Sequence, residues 1–405
     1  MILSLRMKNF YSIIDETVVD FTVPSNSPKG FLYADTGNKD YDKRGSLINV
    51  MIGSNAAGKT NIVKALGALQ HLIADSQSDP EDLGIYYFHA HALHAKQPTE
   101  LGVKFAVDGR IFEYNFQMDT DKILDEEMLE YSKEVERFTA KKVFSRSWDS
   151  VKESYDAHFY RKDKIDLLPK DLRKNASVIS VAKQLPRYDF AQMIADFWRD
   201  GVKNNMTFAN WLPKREDRVE YLDKMIDDEL LRNRVEKIMR RLDVGYDGFW
   251  RRDYDVDGKK VYAYFVNHTY GGDVFSTTWN EESSGTRRLV RILMQIISAL
   301  GRKDGVVVID DLDASLHPDL AEAVVEMFMD EDININKTQL IFNTHDHRIL
   351  TMLDKQQIFL VEKNGAGETE IWRLDEVEGV RADDNYYTKY MAGAYAAKPR
   401  VDEYE

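Results

Sequence analysis

The segment Gly53-Ser54-Asn55-Ala56-Ala57-Gly58-Lys59-Thr60 decides the fold, because it matches G-x-x-x-x-G-K-[ST] at every fixed position. Residues 46–52 before it form a short apolar run, which is typical of a fully buried strand. Residues 61–73 after it place apolar side chains on one helical face. A strand, a glycine-rich turn and a helix in this order predict a phosphate-binding loop, and they argue against a glycine-rich turn that binds nothing.

The loop contains the groups that hold a nucleoside triphosphate. Its glycines let several backbone N–H groups turn toward phosphate oxygens, and the following helix adds its positive N-terminal dipole. We expect Lys59 to bridge the β- and γ-phosphates and the Thr60 hydroxyl to ligate Mg²⁺. The predicted nucleotide contacts form one continuous run: Gly53, Ser54, Asn55, Ala56, Ala57, Gly58, Lys59, Thr60 and Asn61.

A pair of carboxylates follows a second apolar strand, where residues 306–309 lead directly into Asp310 and Asp311. A carboxylate at the tip of a buried strand is how phosphoryl-transfer enzymes hold Mg²⁺, and we assign this role to Asp310. Asp311 occupies the place where a general base would orient and deprotonate the attacking water. The alternative is an acidic surface turn, which the phosphate loop in the same chain makes a weaker interpretation.

Two further segments could contact phosphate. Ser283-Ser284-Gly285-Thr286 stands just before an amphipathic helix, so its N–H groups and hydroxyls predict a second phosphate-binding surface. Another buried strand ends in Phe342-Asn343-Thr344-His345, and His345 can contact a γ-phosphate or the attacking water. His345 joins Lys59 and Asp311 as the candidate catalytic residues.

The composition excludes several classes of protein. The chain has 405 residues, a net charge of −14 and no cysteine, which excludes disulfides, iron–sulfur clusters, zinc ribbons and thiol nucleophiles. The acidic balance argues against a protein that simply coats nucleic acid, although the net charge does not exclude a local basic groove. Residues 289–300 form the longest apolar run, which is interrupted by Arg291 and is too short to cross a membrane. We expect a cytoplasmic protein with no membrane partner.

Strands alternate with helices at both ends of the chain, which predicts an α/β core. Residues 1–130 and 275–405 carry this pattern, and the second part contains the S-S-G-T segment, the carboxylates and His345. Residues 131–274 are rich in charged stretches with helical spacing, so we expect a mainly helical insertion. Basic and aromatic residues mix between 141 and 164, and we interpret them as a charged helical surface rather than a nucleic-acid site.

The order of these motifs resembles that of a known group of ATPases. Phosphate loop, S-S-G-T, the run Asp310-Asp311-Leu312-Asp313-Ala314-Ser315-Leu316-His317-Pro318 and the strand ending in Thr344-His345 resemble ABC-type ATPases of the branch that maintains chromosomes and repairs breaks. The likeness is greatest to short OLD-like members of bacterial anti-phage and abortive-infection operons. The opening residues 7–12 and the tail 390–395 also resemble that subgroup.

The resemblance implies an ATPase head with a mixed β-sheet, Mg²⁺ as the metal, and a head-to-tail dimer or higher oligomer that sandwiches ATP. Ser283, Ser284, Gly285 and Thr286 would act on the nucleotide held by the second copy, and His345 would be the switch histidine. Residues 314–317 would face the dimer partner. The chain would be the sensor or regulatory subunit of a defence complex that controls a separately encoded effector such as a nuclease or toxin.

The sequence departs from the family pattern at two positions. Asp311 replaces the usual glutamate, so its carboxylate is one methylene shorter and hydrolysis is expected to be slow. Tyr11 stands where a basic residue is expected. The glutamine that links the metal to the rest of the head in this family is not assignable from the sequence: Gln97 and Gln117 are both candidates, and neither has a distinctive spacing. Two alternatives to the defence subunit stay open: a DNA-repair or chromosome-maintenance ATPase that acts directly on DNA, and a nucleotide-gated scaffold with little turnover.

Overall fold

The computed structural model describes residues 1–24, 30–80, 85, 94–134, 137–167, 171–206, 220–242, 245–256 and 259–397. Its strands are β1 Ile2–Lys8, β2 Thr17–Asp20, β3 Thr22–Pro24, β4 Tyr33–Asp35, β5 Lys43–Ser46, β6 Ile48–Gly53, β7 Thr99–Val107, β8 Arg110–Met118, β9 Ile123–Glu134, β10 Arg137–Asp149, β11 Ser154–Phe159, β12 Val202–Asn204, β13 Tyr246–Val256, β14 Lys259–Tyr270, β15 Asp273–Thr278, β16 Val306–Ile309, β17 Gln339–Asn343, β18 Ile358–Lys363 and β19 Thr369–Arg373. Its α-helices are α1 Lys59–Ala74, α2 Val178–Ala182, α3 Asp189–Asp196, α4 Glu220–Asp227, α5 Glu229–Arg241, α6 Ser284–Leu300, α7 Pro318–Met329 and α8 Tyr386–Met391.

A six-stranded sheet forms the centre, in the order β12-β16-β17-β6-β18-β19. The pairs from β12 to β18 are parallel, and β19 is antiparallel to β18. The residues of β6, β16 and β17 are all buried, as expected for strands covered on both faces. This confirms the predicted α/β fold of the P-loop class.

Alternate residues of the central strands face two different apolar clusters. Val306 and Val308 belong to the cluster that contains the apolar face of α1 and the seven-stranded sheet. Val307 and Ile309 belong to the other, which contains the buried faces of α6 and α7. Side chains alternate across a strand, so each central strand anchors layers on both sides. The turns at the carboxyl edge of the sheet therefore leave strands that are packed on both faces.

A seven-stranded antiparallel sheet packs against α1, in the order β11-β10-β9-β8-β7-β1-β2. Its strand β9, Ile123–Glu134, runs across residue 130 without a break. The expected boundary between residues 130 and 131 therefore falls inside one strand of one sheet.

The expected mainly helical character of residues 131–274 is wrong, because β10, β11, β12, β13 and β14 lie in this segment beside α2 to α5. A solvated antiparallel strand accepts charges at every second position, and cross-strand pairs such as Lys142 Nζ to Glu127 Oε2, 2.5 Å apart, stabilise them. Charge-rich sequence therefore does not distinguish such a strand from an exposed helix. The basic and aromatic residues of β10 and β11 likewise lie on strands, and Arg146 is buried against Glu126.

The remaining sheets are smaller. Strands β13, β14 and β15 form an antiparallel sheet of three, which stands immediately before α6; we name it the signature sheet. Strands β3, β5 and β4 form another. Among the helices of the described ranges, none has the length and apolar character to cross a membrane.

Candidate nucleotide-binding site

The segments that follow β6, β16 and β17 meet at one cleft of about 780 Å³. Parallel strands bring their carboxyl ends to the same edge of a sheet, which is where ligands bind in α/β folds. The cleft thus brings the phosphate loop, Asp311 and His345 together. Its lining residues are Tyr11, Ser12, Asn55, Ala56, Ala57, Gly58, Lys59, Thr60, Asn61, Asp311, His345, Lys363 and Gly367.

The phosphate loop has the backbone shape that its motif requires. Ala56 and Gly58 have positive φ angles of 62° and 111°. A Cβ atom at Gly58 would lie 2.1 Å from Thr369 Oγ1, so a larger residue does not fit there. The loop leads into α1, and no side chain caps the start of this helix. Its first-turn N–H groups are therefore left without a side-chain competitor, as anion binding at a helix N-terminus requires.

Residues distant in sequence brace the loop. Thr369 Oγ1 donates to the Ala57 carbonyl at 2.7 Å and lies 2.7 Å from Ser12 Oγ. The Asn61 side-chain amide donates to Ser12 Oγ at 2.8 Å. The Asn61 side chain therefore supports the loop from within the cleft. Sequence reasoning missed Ser12 and Thr369, because no local pattern relates residues so far apart in the chain.

Lys59 holds the loop closed on itself. Its Nζ donates to the carbonyls of Gly53 and Ser54, both at 2.9 Å. Burial lowers the pKa of Lys59, while the charges of Asp311 and Asp310 oppose that shift. A phosphate would offer the ammonium stronger, charge-assisted hydrogen bonds than these carbonyls do. The position of Lys59 fits its predicted contact with the β- and γ-phosphates.

Asp310 and Thr60 lie side by side, as a Mg²⁺ site requires. The Asp310 carboxylate accepts a hydrogen bond from Asn343 Nδ2 at 2.6 Å. Burial raises the pKa of Asp310, the Asn343 side chain and the nearby Thr60 side chain oppose this shift, and the charge of Asp311 adds to it. Carboxylate and hydroxyl oxygens are ligands that Mg²⁺ takes, and a divalent cation would offset the buried negative charge. The residues present therefore fit this metal.

Asp311 and His345 approach each other at the cleft wall, with His345 Nε2 3.7 Å from Asp311 Oδ1. Asp311 has a φ angle of 50°, and its backbone N–H donates to Asn343 Oδ1 at 2.8 Å. Asp313 Oδ1 accepts from the Thr344 hydroxyl at 2.6 Å and from the His345 backbone N–H at 2.9 Å. Asn343 and Asp313 thus position the two candidate catalytic residues. Both belong to the motifs quoted above, but their roles required the structure.

A left-handed backbone gives a physical reason for the aspartate at position 311. Asp and Asn adopt positive φ more readily than longer side chains do. The departure from the glutamate of the family pattern therefore matches the local conformation of the turn after β16.

Tyr11 also lines the cleft, at the position where a basic residue was expected. The Lys64 ammonium lies 4.2 Å from the centre of its ring. Burial raises the pKa of the Tyr11 hydroxyl, so the phenol is neutral. A lysine from α1 thus brings positive charge to this corner of the cleft.

The S-S-G-T turn lies outside the cleft: Ser283 and Ser284 are exposed, and none of the four residues lines it. Ser283 caps α6, because its Oγ accepts from the Thr286 backbone N–H at 3.0 Å. A Cβ atom at Gly285 would lie 2.4 Å from the Ser315 carbonyl, so the turn packs closely on the loop after Asp311. Arg288, in the first turns of α6, donates to the carbonyls of Asp310 and Asp311 at 2.8 and 2.5 Å.

Neither candidate glutamine lines the cleft. The backbone carbonyl of Gln97 accepts from Asn9 Nδ2 at 2.9 Å, and Gln117 lies on β8 in the seven-stranded sheet.

Comparison with known proteins identifies a family whose model matches most of the chain. Residues 48–351 match the family model AAA_21, described as "AAA domain, putative AbiEii toxin, Type IV TA system". No curated protein matches the chain. The match begins at the first residue of β6 and includes the phosphate loop, the carboxylates and His345. Since it covers well over half of the chain, this protein belongs to the AAA_21 family of P-loop ATPases.

Proposed function

We propose that this chain is a Mg²⁺-dependent ATPase that closes head to tail with a second copy around ATP, and that it regulates a separate effector in anti-phage defence. One observation carries the proposal. The cleft gathers the phosphate loop, Asp311 and His345, whereas the S-S-G-T turn stands exposed outside it. A second copy could supply this turn to the open side of the cleft.

The chain's own residues account for binding and hydrolysis. Lys59 would exchange the Gly53 and Ser54 carbonyls for phosphate oxygens, and Thr60 and Asp310 would hold Mg²⁺, which neutralises phosphate charge when bound. Asp311 would accept the proton of the attacking water, and His345, 3.7 Å from that carboxylate, would orient the water or contact the γ-phosphate. Asn343 and Asp313 hold these side chains through the hydrogen bonds described above.

The defence role is supported by the family description, which names an abortive-infection toxin of a type IV toxin–antitoxin system, and by the resemblance to OLD-like ATPases. The partner would be a nuclease or toxin encoded separately. ATP-driven closing and hydrolysis-driven opening would change the surface that this effector contacts.

The test is the mass distribution of the purified chain with and without ATP and Mg²⁺. We expect ATP to convert monomers into dimers, and Lys59→Ala to prevent the conversion because the loop loses its phosphate ligand. In cells that carry the whole operon, the same variant should abolish protection against phage. A mass distribution that ATP leaves unchanged would contradict the dimer.

A scaffold with little turnover is the second candidate, and Asp311 favours it because its side chain is short. Asp311→Glu lengthens the reach by one methylene, and it replaces a residue type that tolerates the φ angle of 50° at this position better than glutamate does. If wild type is a slow clamp, this variant should hydrolyse ATP faster in a phosphate-release assay. Brisk hydrolysis by wild type, with no gain in the variant, would remove the basis of the scaffold.

A further inference from the structure

Glu282, the residue before Ser283, is buried between the S-S-G-T turn and the signature sheet, with 7% of its side chain exposed. Its Oε1 accepts a hydrogen bond from His268 Nε2 at 2.8 Å and another from the Thr277 hydroxyl. Its Oε2 accepts one from the Tyr246 hydroxyl. The donors come from β13, β14 and β15 in turn, so every strand of the signature sheet holds this one carboxylate.

These bonds are made to an ionised group. Burial by itself would raise the pKa of Glu282, but hydrogen bonds from Thr277, Tyr246 and His268 outweigh burial and hold this pKa below its usual value. Hydrogen bonds to a charged acceptor are about twice as strong as neutral ones. Removing the charge would leave three part-buried donors with a weaker acceptor, and unpaired buried donors destabilise their surroundings.

The carboxylate network lies next to the turn. Glu282 directly precedes the cap residue Ser283 in the chain. Burial raises the pKa of the Tyr246 hydroxyl, and the nearby Thr286 side chain opposes this shift. Thr286 Oγ1 lies 2.8 Å from Ser283 Oγ, the helix cap. The Tyr246 and His268 rings pack with their centres 4.8 Å apart, which fixes the directions of their donors. The signature sheet is therefore joined to the turn through the Glu282 carboxylate, one residue before the cap.

We propose that Glu282 is a positioning residue that locks the S-S-G-T turn to the signature sheet, so that the sheet regulates whether the turn can engage the nucleotide of a second copy. The regulatory half rests on the proposed function, whereas the lock within one chain does not. A shift of any of the three strands would pull on the carboxylate and thereby reorient the cap of α6.

The adjacent residue provides a matched control. Glu281 is exposed, and its Oε2 accepts from the backbone N–H and hydroxyl of Thr278, both at 2.8 Å. It therefore caps a local turn without contacting Tyr246, His268 or Thr277. Glu281→Gln and Glu282→Gln make the same chemical change one residue apart. Glu281 contacts the signature sheet only at Thr278, the last residue of β15, whereas Glu282 accepts hydrogen bonds from all three strands.

The first measurement is amide hydrogen exchange of the nucleotide-free chain, followed by mass spectrometry. We expect Glu282→Gln to accelerate exchange in the peptide that covers residues 283–287 by at least about tenfold, with no change in α1, and Glu281→Gln to leave that peptide as in wild type. Unchanged exchange in Glu282→Gln, or equal acceleration over the whole chain, would overturn the lock. If Glu282→Gln fails to fold, Tyr246→Phe and Thr277→Val test the lock instead, because each removes one donor to the carboxylate. Both variants should then accelerate exchange in the peptide that covers residues 283–287.

The second measurement is ATP-dependent dimerisation of the same variants. Glu282→Gln should need at least about tenfold more protein to dimerise, while the affinity of the monomer for a fluorescent ATP analogue stays near that of wild type. Dimerisation equal to that of wild type would overturn the regulatory half of the proposal. A wild type that never dimerises would instead contradict the proposed function. The hydrogen-exchange result would still test the lock, because it is measured on the nucleotide-free chain.

Discussion

The phosphate loop and the S-S-G-T turn both stand at the N-terminus of a long helix, but the chain prepares these two ends differently. Lys59 begins α1 after Gly58, and no side chain caps that helix. Ser283 caps α6 through the Thr286 N–H. An uncapped start inside a cleft can accept an anion at once, whereas a capped and exposed start must give up a hydrogen bond first. In the proposed function, this difference would let ATP bind the loop before the turn engages.

The largest expected effect concerns Lys59 in the phosphate loop. Lys59→Ala should weaken ATP binding at least about 100-fold, because it removes the buried ammonium that meets the phosphate charge. Titration of a fluorescent ATP analogue measures this. Lys303→Ala serves as the control, since Lys303 is 74% exposed and pairs with Asp108. Equal affinities of the two variants would show that the loop does not bind through Lys59.

The next effect concerns the metal beside the loop. Because burial raises the pKa of Asp310, protons compete with Mg²⁺ for this carboxylate at a higher pH than at an ordinary aspartate. As the pH falls toward that raised pKa, the Mg²⁺ concentration for half-maximal ATP turnover should rise. Asp310→Asn should raise the Mg²⁺ concentration for half-maximal turnover by about 10–100-fold and remove its pH dependence. A Mg²⁺ requirement in wild type that is constant between about pH 5 and 8 would contradict this assignment.

The smallest expected effect concerns the cap of α6 at the S-S-G-T turn. Ser283→Ala removes the cap of α6 and should lower the free energy of unfolding by about 1 kcal/mol, measured by urea denaturation. Its exposed neighbour Ser284 supplies the control variant, Ser284→Ala, for which we expect a smaller change. If both variants unfold like wild type, the cap at Ser283 is not a stabilising contact, and the contrast between the two helix starts loses its basis.

The same contrast explains what could be predicted from sequence. The phosphate loop, Asp310, Asp311 and His345 each follow a buried strand directly, so apolar runs and short motifs locate them. Asn343, Ser12 and Thr369 act over long sequence separations, and no periodicity relates them to the loop. Glu282 directly precedes the S-S-G-T segment, but its donors are dispersed over 246–277. The helical expectation for 131–274 failed because dense charge suits a solvated strand as well as an exposed helix.

Strand β12 has a consequence for how this protein can be divided or shortened. It lies within the segment predicted to be an insertion, yet it forms the edge of the central sheet beside β16. The next residue, Asn205, accepts from the Asp310 backbone N–H at 2.8 Å and donates to its carbonyl at 3.1 Å. The middle of the chain is therefore not a removable module. A shortened protein that lacks it would lose a strand of the sheet and the backbone support of Asp310, so deletions are better confined to hairpin ends such as Gly271 and Gly272.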